Sequence, residues 1–119
     1  MKQKEITFNG KTYQVVFVVK TMAAFEEITG KSFFDADNKL QTLGDKAALL
    51  YAAIIAADAK ADISFEDIIN ADKVEAVNEI IKAFGVIDKL AAEFFEIPAI
   101  EPQPEPAEEQ EQKGNSSKN

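Results

Sequence analysis

The chain has 119 residues, 46% hydrophobic and 29% charged, with a formal net charge of −8, which leaves room for one compact domain and one core. It holds no His, no Cys and no Trp, and all 13 basic residues are Lys. Imidazole acid–base pairs, thiolate nucleophiles, Cys/His zinc sites and arginine forks are thereby excluded, and an acidic chain without Arg is ill suited to nucleic-acid phosphates.

Met1-Lys2-Gln3-Lys4-Glu5 runs straight into a strand pattern with no apolar stretch of its own, so no signal peptide is expected. Ile6 and Phe8 alternate with Thr7, and Asn9-Gly10 then predicts a two-residue type I′ turn. The return strand reads from Lys11 to Val19. This loop length sets Phe8 opposite Lys11 and Ile6 opposite Tyr13. One face then carries Ile6, Phe8, Tyr13, Val15, Phe17 and Val19. The other is polar at Glu5, Thr7, Thr12 and Gln14 and turns apolar at Val16 and Val18. An isolated hairpin is marginal in water, so helices must cover the first face. Val16 and Val18 need cover too, from this chain or from another.

The remaining periodic segments read as helices. Met22 to Thr29 is short and ends at Gly30, placed to close it in a left-handed conformation. Ser32 caps a further turn, with Asp35 at capping-box spacing and Phe33 and Phe34 behind it. Thr42 to Asp58 is apolar on nearly every side, the pattern of a central helix touched from several directions. Its apolar run from Ala47 to Ala57 falls short of the roughly 20 residues a membrane span needs. Ser64 and Asp67 form a capping box before Ile68 and Ile69. Asp72 and Glu75 repeat the device before the longest helix, which places Val74, Val77, Ile80, Ile81, Phe84, Ile87, Leu90, Phe94 and Phe95 at helical spacing.

Composition changes at Pro98. The segment from Pro98 onward holds every proline of the chain, with Glu, Gln and a Gly-Asn-Ser-Ser stretch near its end, and too little apolar surface to offset the entropy of ordering. The expected architecture is α+β: an N-terminal β-hairpin packed on a bundle of about four to five helices. Residues 1–97 form a single domain, and 98–119 a disordered acidic Pro/Glu-rich tail.

Several strings resemble chemistry that the surrounding residues do not support. Gly30-Lys31-Ser32 looks like the end of a phosphate loop, but Phe25 stands where the first glycine belongs. Asp35-Ala36-Asp37 opens like a calcium loop, but Lys39, Leu40 and Lys46 occupy its ligand, glycine and far-end glutamate positions. The carboxylate pairs Glu75/Glu79 and Glu93/Glu96 each share one helix face with lysines among them, whereas paired-carboxylate hydrolysis needs groups set across a cleft. No catalytic, metal or cofactor residue is therefore assigned, and the chain is read as non-enzymatic.

The phenylalanines carry more information. There are nine, and Phe33/Phe34 and Phe94/Phe95 are adjacent pairs. Neighbours on a helix point about 100° apart, so one core rarely takes both. One member of each pair is expected at a protein interface, where aromatic anchors concentrate. Val16, Val18, Phe33, Phe34, Phe94 and Phe95 are the candidate interface residues.

The order of elements resembles the tail assembly chaperones of long-tailed phages, prophages and gene-transfer-agent clusters. The resemblance runs from residue 5 to about 95. It is carried by the hairpin Ile6-Thr7-Phe8-Asn9-Gly10-Lys11-Thr12-Tyr13 and the string Phe25-Glu26-Glu27-Ile28-Thr29-Gly30-Lys31-Ser32-Phe33-Phe34. Leu50-Tyr51-Ala52-Ala53 and Ser64-Phe65-Glu66-Asp67-Ile68-Ile69 follow in order. The resemblance implies a protein of the bacterial cytoplasm that binds the tape-measure protein, shields its hydrophobic helices and recruits tail-tube subunits. It also implies absence from the finished virion and, in many members, a longer frameshifted form, for which the Pro/Glu tail would be a suitable linker. Self-association is expected from the two-sided strand end, the all-round apolar helix and the paired phenylalanines. The negative charge supports a second reading, an acidic inhibitor or decoy that binds a basic protein. Neither reading calls for nucleic acid, a membrane or a cofactor.

Overall fold

A computed structural model describes residues 2–34 and 42–96. The expected tail and the calcium-loop-like segment lie outside the described residues, as does Asp35 of the first predicted capping box. Strands β1 (Gln3–Phe8) and β2 (Lys11–Val16) form a two-stranded antiparallel hairpin. Phe8 pairs with Lys11 and Ile6 with Tyr13, the register the turn predicts. Asn9 and Gly10 both have positive φ, 52° and 83°, as a type I′ turn requires. Among the described residues four helices follow: α1 (Val19–Thr29), α2 (Leu43–Ala57), α3 (Phe65–Ile69) and α4 (Val74–Glu96). The architecture is α+β.

The second strand is shorter than predicted. It stops at Val16, and α1 starts at Val19 rather than at Met22. The cause is Thr21. Its hydroxyl donates to the Val16 carbonyl oxygen at 3.0 Å and accepts from the Val18 N–H at 3.1 Å. These two bonds satisfy backbone groups that a longer strand would have paired. Val19 consequently leaves the hairpin's inner face and lies 67% exposed. Phe17 keeps its inward position and is buried.

The other helix boundaries follow local chemistry. Gly30 ends α1 at φ 73°, with its N–H on the Glu26 carbonyl. Thr42 caps α2 by accepting from Asp45 N. Ser64 and Asp67 exchange both bonds of a capping box, at 3.0 and 2.8 Å. The Asp72/Glu75 box does not form. Helix α4 begins one residue later than that box would start it, and the Asp72 side chain makes no capping bond among the described residues.

Helix α2 is central. It packs on α1, β2, α3 and α4 and buries Leu49, Leu50, Ile54 and four alanines. Small side chains let its neighbours approach closely, and the large ones fill the space between them. Helix α4 lies along β1 and is tied to the hairpin turn, where Asn9 N–H donates to Glu79 Oε1 at 2.9 Å.

Gly85 sits in the middle of α4 without breaking it. A Cβ added there meets nothing within 4 Å. Gly85→Ala is therefore expected to raise the unfolding free energy by about 0.5–1 kcal/mol, read as a higher urea midpoint at unchanged slope.

Candidate protein-binding surface

The six candidate interface residues occupy different environments. Val16 is fully buried by its own chain and offers no surface, which corrects its place in the candidate set. Val18 is half-buried beside the α1 N-terminus. The four phenylalanines come together. Phe17, at the end of the hairpin, is the hub: the rings of Phe33, Phe94 and Phe95 lie 5.6, 5.6 and 5.8 Å from its own. Phe25 of α1 meets Phe33 edge-on at 5.7 Å. Phe34 completes the cluster with Phe33 at 5.6 Å and Phe95 at 6.2 Å. These spacings and tilts are those of favourable ring pairs.

The cluster grades from interior to surface. Phe25 and Phe17 are buried, Phe33 and Phe94 are half-buried, and Phe34 and Phe95 are 68% and 49% exposed. Each adjacent pair thus splits, one ring packing on the core and the other facing out. Backbone bonds hold the Phe33–Phe34 turn. Phe33 N–H donates to Glu26 Oε2 at 2.8 Å and Phe34 N–H to Ser32 Oγ at 3.1 Å.

A second apolar area was not anticipated from the sequence. Leu43 of α2, Ile69 of α3 and Val74, Val77 and Ile81 of α4 are exposed. Leu43, Ile69 and Val77 rim a groove of about 280 Å³ floored by Ile68 and Ile80, with Lys73 at its edge. Contiguous exposed apolar surface of this kind is the usual mark of a protein-binding face. Helical spacing alone lists α4's large apolar residues without separating those that face inward from those that face out. The signal it missed is that Ala76 and Ala83 complete a separate inward row with Ile80, Ile87 and Leu90, which leaves Val74, Val77 and Ile81 unaccommodated.

The polar strings have structural roles. Lys31 of the Gly-Lys-Ser string donates to both oxygens of buried Asp45 at 3.1 Å, linking the α1 end to α2. Glu79 holds the hairpin turn, and Glu93 pairs with Lys2 at 3.0 Å. A cleft of about 450 Å³ beside the turn carries Asp62, Asp67 and Asp72, of which Asp67 is engaged in its capping box. Among the described residues no group of acidic side chains is placed to hold a metal ion, and no helix is long and apolar enough to cross a membrane. No family model matches this sequence, and no curated protein and no solved structure matches it either.

Proposed function

We propose that this chain is a tail assembly chaperone of the phage or prophage type, a non-enzymatic protein of the bacterial cytoplasm. In this reading it holds apolar helical segments of a tape-measure protein and recruits tail-tube subunits. The observation that carries the reading is the outward-facing pair Phe34 and Phe95, seated on a ring cluster continuous with the core. A domain of this size gains stability by burying large aromatic rings, and rings held rigidly at the surface are the anchors protein interfaces use. The net charge of −8 keeps such a protein dispersed until it meets its partner.

Co-expression with the tape-measure protein encoded downstream is expected to raise that protein's soluble yield several-fold. The complex is expected to survive moderate salt, since apolar contacts are not screened. No gain in solubility would overturn the proposal. A complex that forms but dissolves as salt rises would favour the acidic-decoy reading, in which exposed charges supply the attraction.

A further inference from the structure

Helix α4 has two apolar rows: the domain buries one and touches the other only in part, through Phe84 under the Lys46 ammonium at 5.1 Å, Ala91 against the core and Phe95 against Phe17. Ala76, Ile80, Ala83, Ile87 and Leu90 are buried. The other row is Val74, Val77, Ile81 and Phe84, continuing through Asp88 and Ala91 to Phe95. Its steps alternate between three and four residues, the 3.5-residue repeat of a coiled-coil seam. Every member of this row is exposed or half-buried, with Val74 at 73% and Ile81 at 51%. From Val74 to Phe95 it extends about 30 Å. It joins the groove beside Leu43 and Ile69 at one end to the exposed rings of Phe34 and Phe95 at the other. The two apolar areas are thus one face. Along its open edge lie Asn78, Gly85 and Ala92, all exposed, and the room left by Gly85 is used by nothing in this chain.

Asp88 decides the occupant. It is the one charged residue in the row, and its side chain has no hydrogen bond or ion pair among the described residues. Two copies of α4 packed in parallel register would set Asp88 against Asp88. Antiparallel copies would set it against an apolar residue or, in the one register centred on it, against Asp88 again, because every other position in the row is apolar. Both arrangements desolvate an unpaired carboxylate, which is costly, and the net charge of −8 adds repulsion between copies. We infer that this row is the docking face for a helix of a different protein, apolar at its own seam positions and carrying a Lys or Arg opposite Asp88. The inference rests on the partner-binding reading above and gives that reading a site and a selection rule: a single polar seam position sets partner and register.

The test uses the full chain and fluorescein-labelled synthetic helices of about 24 residues with Leu at a and d. One seam position carries Lys, placed in two versions so that either helix direction can set it against Asp88. Matched peptides carry Glu there instead. Fluorescence anisotropy at nanomolar peptide is expected to show one Lys peptide binding at least about tenfold tighter than its Glu counterpart. Asp88→Lys is expected to reverse that preference, and Ile81→Asp to abolish binding of both while the circular dichroism spectrum stays unchanged. Equal binding of Lys and Glu peptides, or binding untouched by Ile81→Asp, would overturn the inference. So would light scattering that shows a dimer of the chain alone which Ile81→Asp dissociates, since the occupant would then be a second copy. Peptide binding without any effect on tape-measure solubility would leave this site standing and remove the chaperone role. A solubility gain that Ile81→Asp does not diminish would do the reverse.

Discussion

Phe25→Ala is expected to lower the unfolding free energy by about 3–5 kcal/mol, a large part of the roughly 5–15 kcal/mol typical of a whole domain. Phe25 is fully buried on α1, and its edge-on contact with Phe33 connects α1 to the ring cluster. Truncation removes the transfer free energy of the ring and leaves a cavity that neighbours cannot close. Helix α1 is pinned by Thr21 at its start and Gly30 at its end, and α2 is packed on all sides, so neither can move in. For a domain of this size the thermal midpoint should fall by about 15 °C or more. Calorimetry checks it. A loss of under about 1 kcal/mol would mean that the ring cluster repacks freely, contrary to the close packing of protein interiors.

Much of this architecture is legible in the sequence wherever a few adjacent residues settle the backbone. Asn9-Gly10 dictates its turn because both residues must take positive φ. Gly30, Thr42 and Ser64 mark helix ends because each satisfies orphaned backbone groups within its own turn. The failures lie where a side-chain bond overrides propensity or where the decision is tertiary. Val15, Val16, Val18 and Val19 favour a strand by propensity, and only the pair of bonds made by Thr21 turns the chain into a helix at Val19. In α4 the apolar residues cover more than half of the helix circumference. Which row faces inward is decided by where β1 and α2 lie, and the inward row includes alanines that a search for large residues overlooks. The phenylalanine pairs were readable in part. Adjacency leads to the expectation that one ring of each faces away, but not that both outward rings meet each other 6.2 Å apart.

That meeting makes the double variant Phe34→Ser with Phe95→Ser the sharpest probe of the surface. Phe34 is largely in water and Phe95 about half so, which limits the burial their removal forfeits. The ring pairs they make are worth about 0.5–1.5 kcal/mol each at most, and a total loss of about 1–2 kcal/mol of stability is expected, mostly through the contact of Phe95 with Phe17. Partner binding should respond far more strongly. An aromatic anchor at an interface centre is worth about 2 kcal/mol or more, close to thirtyfold in affinity, so the solubilised yield of a co-expressed tape-measure protein should collapse while the variant itself stays folded. Phe34→Leu with Phe95→Leu should recover part of that yield, because it restores apolar area without the rings. If the serine variant instead loses its cooperative unfolding transition, the two rings are core residues that reach the surface only at their edges. If it folds normally and still solubilises the partner in full, the anchors lie elsewhere, and the N-terminal part of α4, from Val74 to Ile81, carries the binding without them.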